Sequence, residues 1–115
     1  MKRLEEINVP ENAKEHLGDI VERLVERCHP QLVMLFGSWA EERPGPDSDF
    51  DLLVVADSPE PRRLAGELMW DLSDRGRGVD VLLLTPDEFA RERELPGLIV
   101  HRTVRDGVLL YGRAA

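Results

Sequence analysis

Only one cysteine, Cys28, occurs in the 115 residues, which excludes an intrachain disulfide and any zinc site built from cysteines. No apolar stretch approaches the roughly 20 residues needed to cross a bilayer, and the opening MKRLEEINVPE has no apolar core of the kind an export signal carries. The expectation is a cytoplasmic chain without membrane contact. Positive charge is also short: 15 Lys and Arg face 23 Asp and Glu, a formal net charge of -8. Nucleic acid demands a basic surface, so no direct nucleic-acid binding is expected. His16, His29 and His101 are scattered, with no HxH or HxxxH spacing, so surface or cap roles are expected of them rather than metal ligation. Lysine stands only at Lys2 and Lys14; the other basic residues are arginine.

What is present is the apolar periodicity of a folded domain, at 42% hydrophobic residues, and the length suits one domain over residues 1–115. From about Pro10 to Cys28, Leu17, Ile20, Val21, Leu24, Val25 and Cys28 form a one-sided helical stripe. Cys28 is therefore read as a packing residue. Asp19 and Arg23 are spaced for an ion pair on the wet side of this helix, and His29-Pro30 supplies its stop. Gln31–Phe36 and Phe50–Ala56 are nearly continuous apolar runs, as in strands covered on both faces. After Pro59 and Pro61 a helix runs to about Asp74, with Leu64, Ala65, Leu68, Met69 and Leu72 inward. Trp70 lies off that stripe and is expected to pack along the helix edge, a partner surface being the alternative.

A third strand, VDVLLL from Val79 to Leu84, leads to Thr85-Pro86-Asp87-Glu88, the signature of a capping box with proline in the first helical turn. That helix is expected to end near Leu95-Pro96-Gly97. Leu98 to Asp106 reads as another, with Ile99, Val100, Thr103 and Val104 buried. Gly107 turns the chain into a short strand, Val108–Tyr111, and Gly112 onward reads as a tail. The order helix, strand, strand, helix, strand, helix, helix, strand predicts an α+β (or α/β-like) mixed sheet with flanking helices.

The dense chemistry lies in LFGSWAEERPGPDSDFDLLVV, Leu35 to Val55. Gly37-Ser38 follows an apolar run, and Asp49 and Asp51 open the next. Alternate strand residues share a face, so the two aspartates point one way and Phe50 the other. Carboxylates at the mouth of an apolar strand are costly unless neutralised, and oxygen-only ligands suit a hard cation such as Mg2+. Glycine permits close backbone approach, and the neighbouring N–H groups with the Ser38 hydroxyl suit phosphate oxygens. Asp80 interrupts another apolar strand, and pairing of the two strands would bring it to the same edge. Three acids and a Gly-Ser turn point to metal-assisted phosphoryl or nucleotidyl transfer. A calcium loop on Asp47, Asp49 and Asp51 fails, because Leu52 and Ser58 stand where a glycine and a bidentate glutamate belong. A phosphatase of the Asp-x-Asp type would have the apolar strand before the aspartates, not after them.

Gly37 and Ser38, ten intervening residues, Asp49-x-Asp51 and a later Asp80 between apolar residues resemble the minimal nucleotidyltransferases of the DNA polymerase beta superfamily. The resemblance implies a polymerase-beta-type core over nearly the whole chain. It also implies Mg2+ on Asp49 and Asp51, with Asp80 completing the metal site and helping to activate the attacking hydroxyl, and the triphosphate of ATP or another NTP held by Gly37 and Ser38. Where that family often has a small residue and an arginine after the Gly-Ser, this chain has Trp39, Ala40, Glu41 and Glu42, and only then Arg43. Free domains of this size also resemble the antitoxin halves of two-gene, type VII-like toxin–antitoxin pairs whose partner is an all-helical HEPN ribonuclease. By that resemblance AMP passes from ATP to a partner hydroxyl, a tyrosine, and silences the partner. A non-catalytic antitoxin that masks its partner by complex formation is the alternative. The oligomeric state, homo- or hetero-, is left open.

Overall fold

In the computed structural model, which describes residues 1–114, one mixed sheet is built from β1 (Lys2–Arg3), β2 (Leu32–Phe36), β3 (Phe50–Val55), β4 (Val79–Leu84) and β5 (Val108–Gly112). The helices are α1 (Glu11–Cys28), α2 (Gly37–Ala40), α3 (Pro61–Leu72), α4 (Pro86–Glu92) and α5 (Ile99–Asp106), with a 3-10 turn at Leu4–Glu6. The strand order is β1-β5-β2-β3-β4. β2 lies antiparallel to both β3 and β5, while β1 runs parallel to β5 and β4 parallel to β3. The α3 crossover is what permits the parallel β3–β4 pair.

Because strand side chains alternate, the apolar runs feed two cores. Phe50, Leu52, Val54, Val33, Leu35, Val79, Val81 and Leu83 meet Leu17, Ile20 and Leu24 of α1 and Leu68 and Leu72 of α3. On the other face Met34, Leu53, Val55 and Leu84 meet Phe89 of α4 and Val100 of α5. Fully burying one such side chain contributes about 1.5–3 kcal/mol. α4 starts as expected: the Thr85 hydroxyl accepts from Glu88 N, the Glu88 carboxylate accepts from Thr85 N, and Pro86 follows the cap. His29 stops α1 in the left-handed region, φ 47°, where its N–H reaches Val25 O.

Several expectations are corrected. β1 and α2 were absent from the expected order, because a two-residue charged edge strand and a four-residue helix are too short to show a hydrophobic period. α3 stops at Leu72 and α4 at Glu92, both earlier than the sequence suggests. Gly112 belongs to β5 and Ala114 is buried against the second core, so the C-terminal residues described here are not a tail; Ala115 lies outside the described residues. Asp19 and Arg23 do not pair with each other. Arg23 reaches Asp74, and Asp19 takes Arg75, so both stitch α1 to the end of α3. Ile99 is 41% exposed and Trp70 is 85% exposed, neither packing as anticipated. Trp70 stands on the rim of a groove of about 720 Å³ between α1 and α3. Among the described residues no helix is long and apolar enough to cross a membrane.

Candidate functional site

The register of the sheet brings two of the acids together. Asp51 lies opposite Phe36 on β2 and beside Asp80 on β4, so all three side chains leave the same face of the sheet. Phe50, one residue earlier, turns into the opposite core. Asp49 precedes β3 and lies against Gly78, just before β4: a Cβ placed on Gly78 would stand 2.7 Å from the Asp49 carboxyl carbon. Gly37 plays the same part for Asp51. A Cβ there would run into the Asp51 carboxylate, and the backbone at Gly37 has φ +77°, which L side chains rarely adopt. Each glycine thus leaves the space that one carboxylate occupies.

Asp51 is half-buried at this mouth. Its pKa is raised above the ordinary carboxylate value, first by burial, then by the charge and hydrogen-bonding proximity of Asp80, and finally by Asp49. Like charges crowding a partly desolvated carboxyl favour its protonated form. The electrostatic deficit is one that a cation would remove, and the donors around it are oxygen only. Among the described residues no three His, Cys, Asp or Glu side chains already converge as a cluster able to hold a metal ion. Asp51 and Asp80, adjacent in register, are the oxygen donors that could take a hard cation here.

Gly37 and Ser38 open α2, whose first turn has no side-chain cap. Its free N–H groups face away from the helix body, as those of any helix start do. The sequence suggested a plain turn here; the structure has a helical turn fixed by Trp39. That indole is 6% exposed, stacks edge-on against Phe50, and donates from Nε1 to Ser48 O at 3.0 Å. It therefore ties the Gly-Ser turn to the backbone immediately before Asp49. The two glutamates after α2 part company. Glu42, with φ 60°, turns to the N-terminal segment, where it accepts from Asn8 N and lies 3.7 Å from Lys2 Nζ, and these contacts hold its carboxyl below the usual range. Glu41 pairs with Arg43 at 2.7 Å and lines a cleft of about 530 Å³ beside Gly37, with Phe36, Arg102 and Thr103.

Sequence reasoning missed two residues at the opposite wall. Arg77 lies with its guanidinium carbon 4.8 Å from the ring centres of both Trp39 and Phe50. His16, expected at the surface or a cap, is only 6% exposed, and its ring meets Phe50 edge-on. With Asn12, Ser48 and Asp49 they line a polar cleft of about 520 Å³. The arginine-rich turn RGRG before β4 was a visible signal; the 61-residue separation of His16 from Arg77 left their meeting invisible.

The comparisons with known proteins fall on this same region. A family model described as "Polymerase beta, Nucleotidyltransferase" matches residues 18–115. No curated protein matches the chain significantly. Among solved structures, a chain of a toxin–antitoxin complex crystallised with AMP-PNP superposes with a TM-score of 0.63 at 23% identity, covering 84% of this chain and 74% of that one. A complex of MNT antitoxin with tri-AMPylated Shewanella oneidensis HEPN toxin gives 0.59 at 22%, covering 87% and 72%. A Sulfolobus solfataricus chain assigned as a nucleotidyltransferase gives 0.50 at 25%, covering 93% of both. These likenesses bear on the fold, and the family match spans most of the chain, including the glycine-cradled carboxylates. The chain belongs to the polymerase beta nucleotidyltransferase family.

Proposed function

We propose that this chain is a Mg2+-dependent nucleotidyltransferase, a single cytoplasmic domain that moves AMP from ATP onto a tyrosine hydroxyl of a HEPN-domain partner and so acts as an antitoxin. The observation that carries the reading is the in-register placement of Asp51 beside Asp80 on parallel strands, over the cradle of Gly37. The likeness to a complex containing a tri-AMPylated HEPN toxin supports the choice of acceptor, and the likeness to a complex with AMP-PNP supports the choice of nucleotide.

Asp49, Asp51 and Asp80 would hold the metal, which when bound supplies charge neutralisation at the phosphates. Ser38 and the N–H groups after Gly37 orient the triphosphate. Asp80 takes the proton of the acceptor hydroxyl as its oxygen bonds to the α-phosphorus. The bond from that phosphorus to the bridging oxygen breaks, and pyrophosphate leaves with the electron pair. Protein groups here act by position and charge, so loss of one carboxylate should cost orders of magnitude in rate while sparing the fold.

One experiment tests this directly. The protein, MgCl2, each nucleoside triphosphate in turn and the product of an adjacent gene encoding a small helical protein are mixed, and intact masses are recorded. An AMP-sized gain on the partner, lost with Asp49→Asn, is expected. A stable complex without mass gain, unchanged by Asp49→Asn, would instead establish masking without chemistry, the reading that Glu41 beside Gly37 favours because its charge opposes a triphosphate there.

A further inference from the structure

We propose that Arg77, backed by His16, binds the terminal phosphates of the nucleotide and holds them as pyrophosphate departs, an assignment that rests on the nucleotidyl-transfer reading. Arg77 sits in the turn between α3 and β4, flanked by Gly76 at φ +78° and by Gly78, which adjoins Asp49. It is half-buried, and among the described residues it has no carboxylate partner. Its neighbours are the Trp39 and Phe50 rings and His16 Nδ1, 3.4 Å from Arg77 Nη1. Aromatic faces satisfy a guanidinium only in part, leaving in-plane donors for a multi-oxygen anion such as a phosphate.

His16 supports the guanidinium as an acceptor. A guanidinium only donates, so Nδ1 accepts and the ring proton resides on Nε2. That nitrogen is buried without any hydrogen-bond partner. Burial, together with Arg75 and Arg77, lowers the His16 pKa, which favours the neutral ring able to accept from Arg77. Across the cleft stand Asp47 and Asp49, which repel a bare anion. The ligand that fits is therefore a phosphate whose charge is partly neutralised at Asp49, which is the description of a metal-bound triphosphate tail rather than of a free anion. Arg77 lines the same cleft as Asp49 and so supplies positive charge where that tail would lie.

The test uses Trp39 as reporter, because Arg77 lies on its ring, in a Trp70→Phe background that removes the exposed indole. Inorganic pyrophosphate is titrated with and without Mg2+, and AMP is titrated in parallel. Saturable change with pyrophosphate and none with AMP is expected. Asp49→Asn should tighten the metal-free titration, and Arg77→Gln should weaken pyrophosphate at least tenfold, about 1.4 kcal/mol. Arg77→Lys, which keeps the charge but not the fork, should fall between. In the transfer assay, Arg77→Gln should weaken inhibition by added pyrophosphate by a similar factor. Pyrophosphate binding unchanged in folded Arg77→Gln and Arg77→Lys proteins would overturn the assignment. Arg77-dependent binding without transfer to any acceptor would instead retire the transfer reading and leave the phosphate site standing. Transfer with Arg77-independent binding would do the reverse.

Discussion

Gly37 and Gly78 matter by what they omit. Each leaves open the volume that a carboxylate fills, and Gly37 adds a backbone angle that other residues resist. Gly37→Ala should therefore destabilise the protein by more than about 1 kcal/mol in a denaturant melt, a larger cost than at an ordinary glycine with φ below zero. Asp51→Asn should act in the opposite direction. The raised pKa means that the native state binds the Asp51 proton more tightly than the unfolded chain does, so stability falls as pH rises above the ordinary carboxylate range and through the native pKa. With metal absent, Asp51→Asn should melt higher than wild type at neutral pH and lose that decline, although it abolishes transfer. Denaturant curves across pH, in chelator, read both effects. Asp51 and Asp80 were legible from sequence because each breaks an apolar run with a charge that burial alone disfavours. Arg77 and His16 were not, because what gives them meaning is a contact with Trp39 and Phe50, and no periodicity encodes contacts between distant segments.

At the scale of elements, long amphipathic stretches came through and short ones did not. α1 and the strands β2 to β4 follow from uninterrupted period or apolar run, and α4 from its capping box. α2 could not be read, since four residues hold barely one turn; Trp39 fixes it through Ser48 O. α3 presents the reverse case, a residue whose type suggests packing and whose position forbids it. Trp70 projects from α3 with 85% of its surface exposed, so Trp70→Ala should change stability by less than about 0.5 kcal/mol in the isolated protein. A drop well beyond that would mean that the indole packs after all. The groove beside it is closed at its rim by Arg23 with Asp74 and by Arg27 with Glu67 and Asp71, exposed pairs worth about 0–1 kcal/mol each.

For the molecule as a whole, the mixed sheet was legible and its outer edge was not. β1 contributes two exposed, charged residues, and only their alignment with Val108 and Leu109 marks them as a strand. The family assignment was readable in the spacing of Gly37, Ser38, Asp49, Asp51 and Asp80, because that spacing is what the parallel β3–β4 pair converts into adjacency. The same pairing decides where the chain tolerates changes of length. One residue inserted within β4 ahead of Asp80 would turn that side chain toward α1 and α3 and send an apolar neighbour to the mouth. One residue inserted between Pro44 and Asp47 changes no strand register. A scan of single-alanine insertions, scored by soluble yield and by AMP transfer, should find the loop permissive and β4 closed, so that relatives of this domain are free to differ in the length of the loop but not in the count of residues from Gly78 to Asp80.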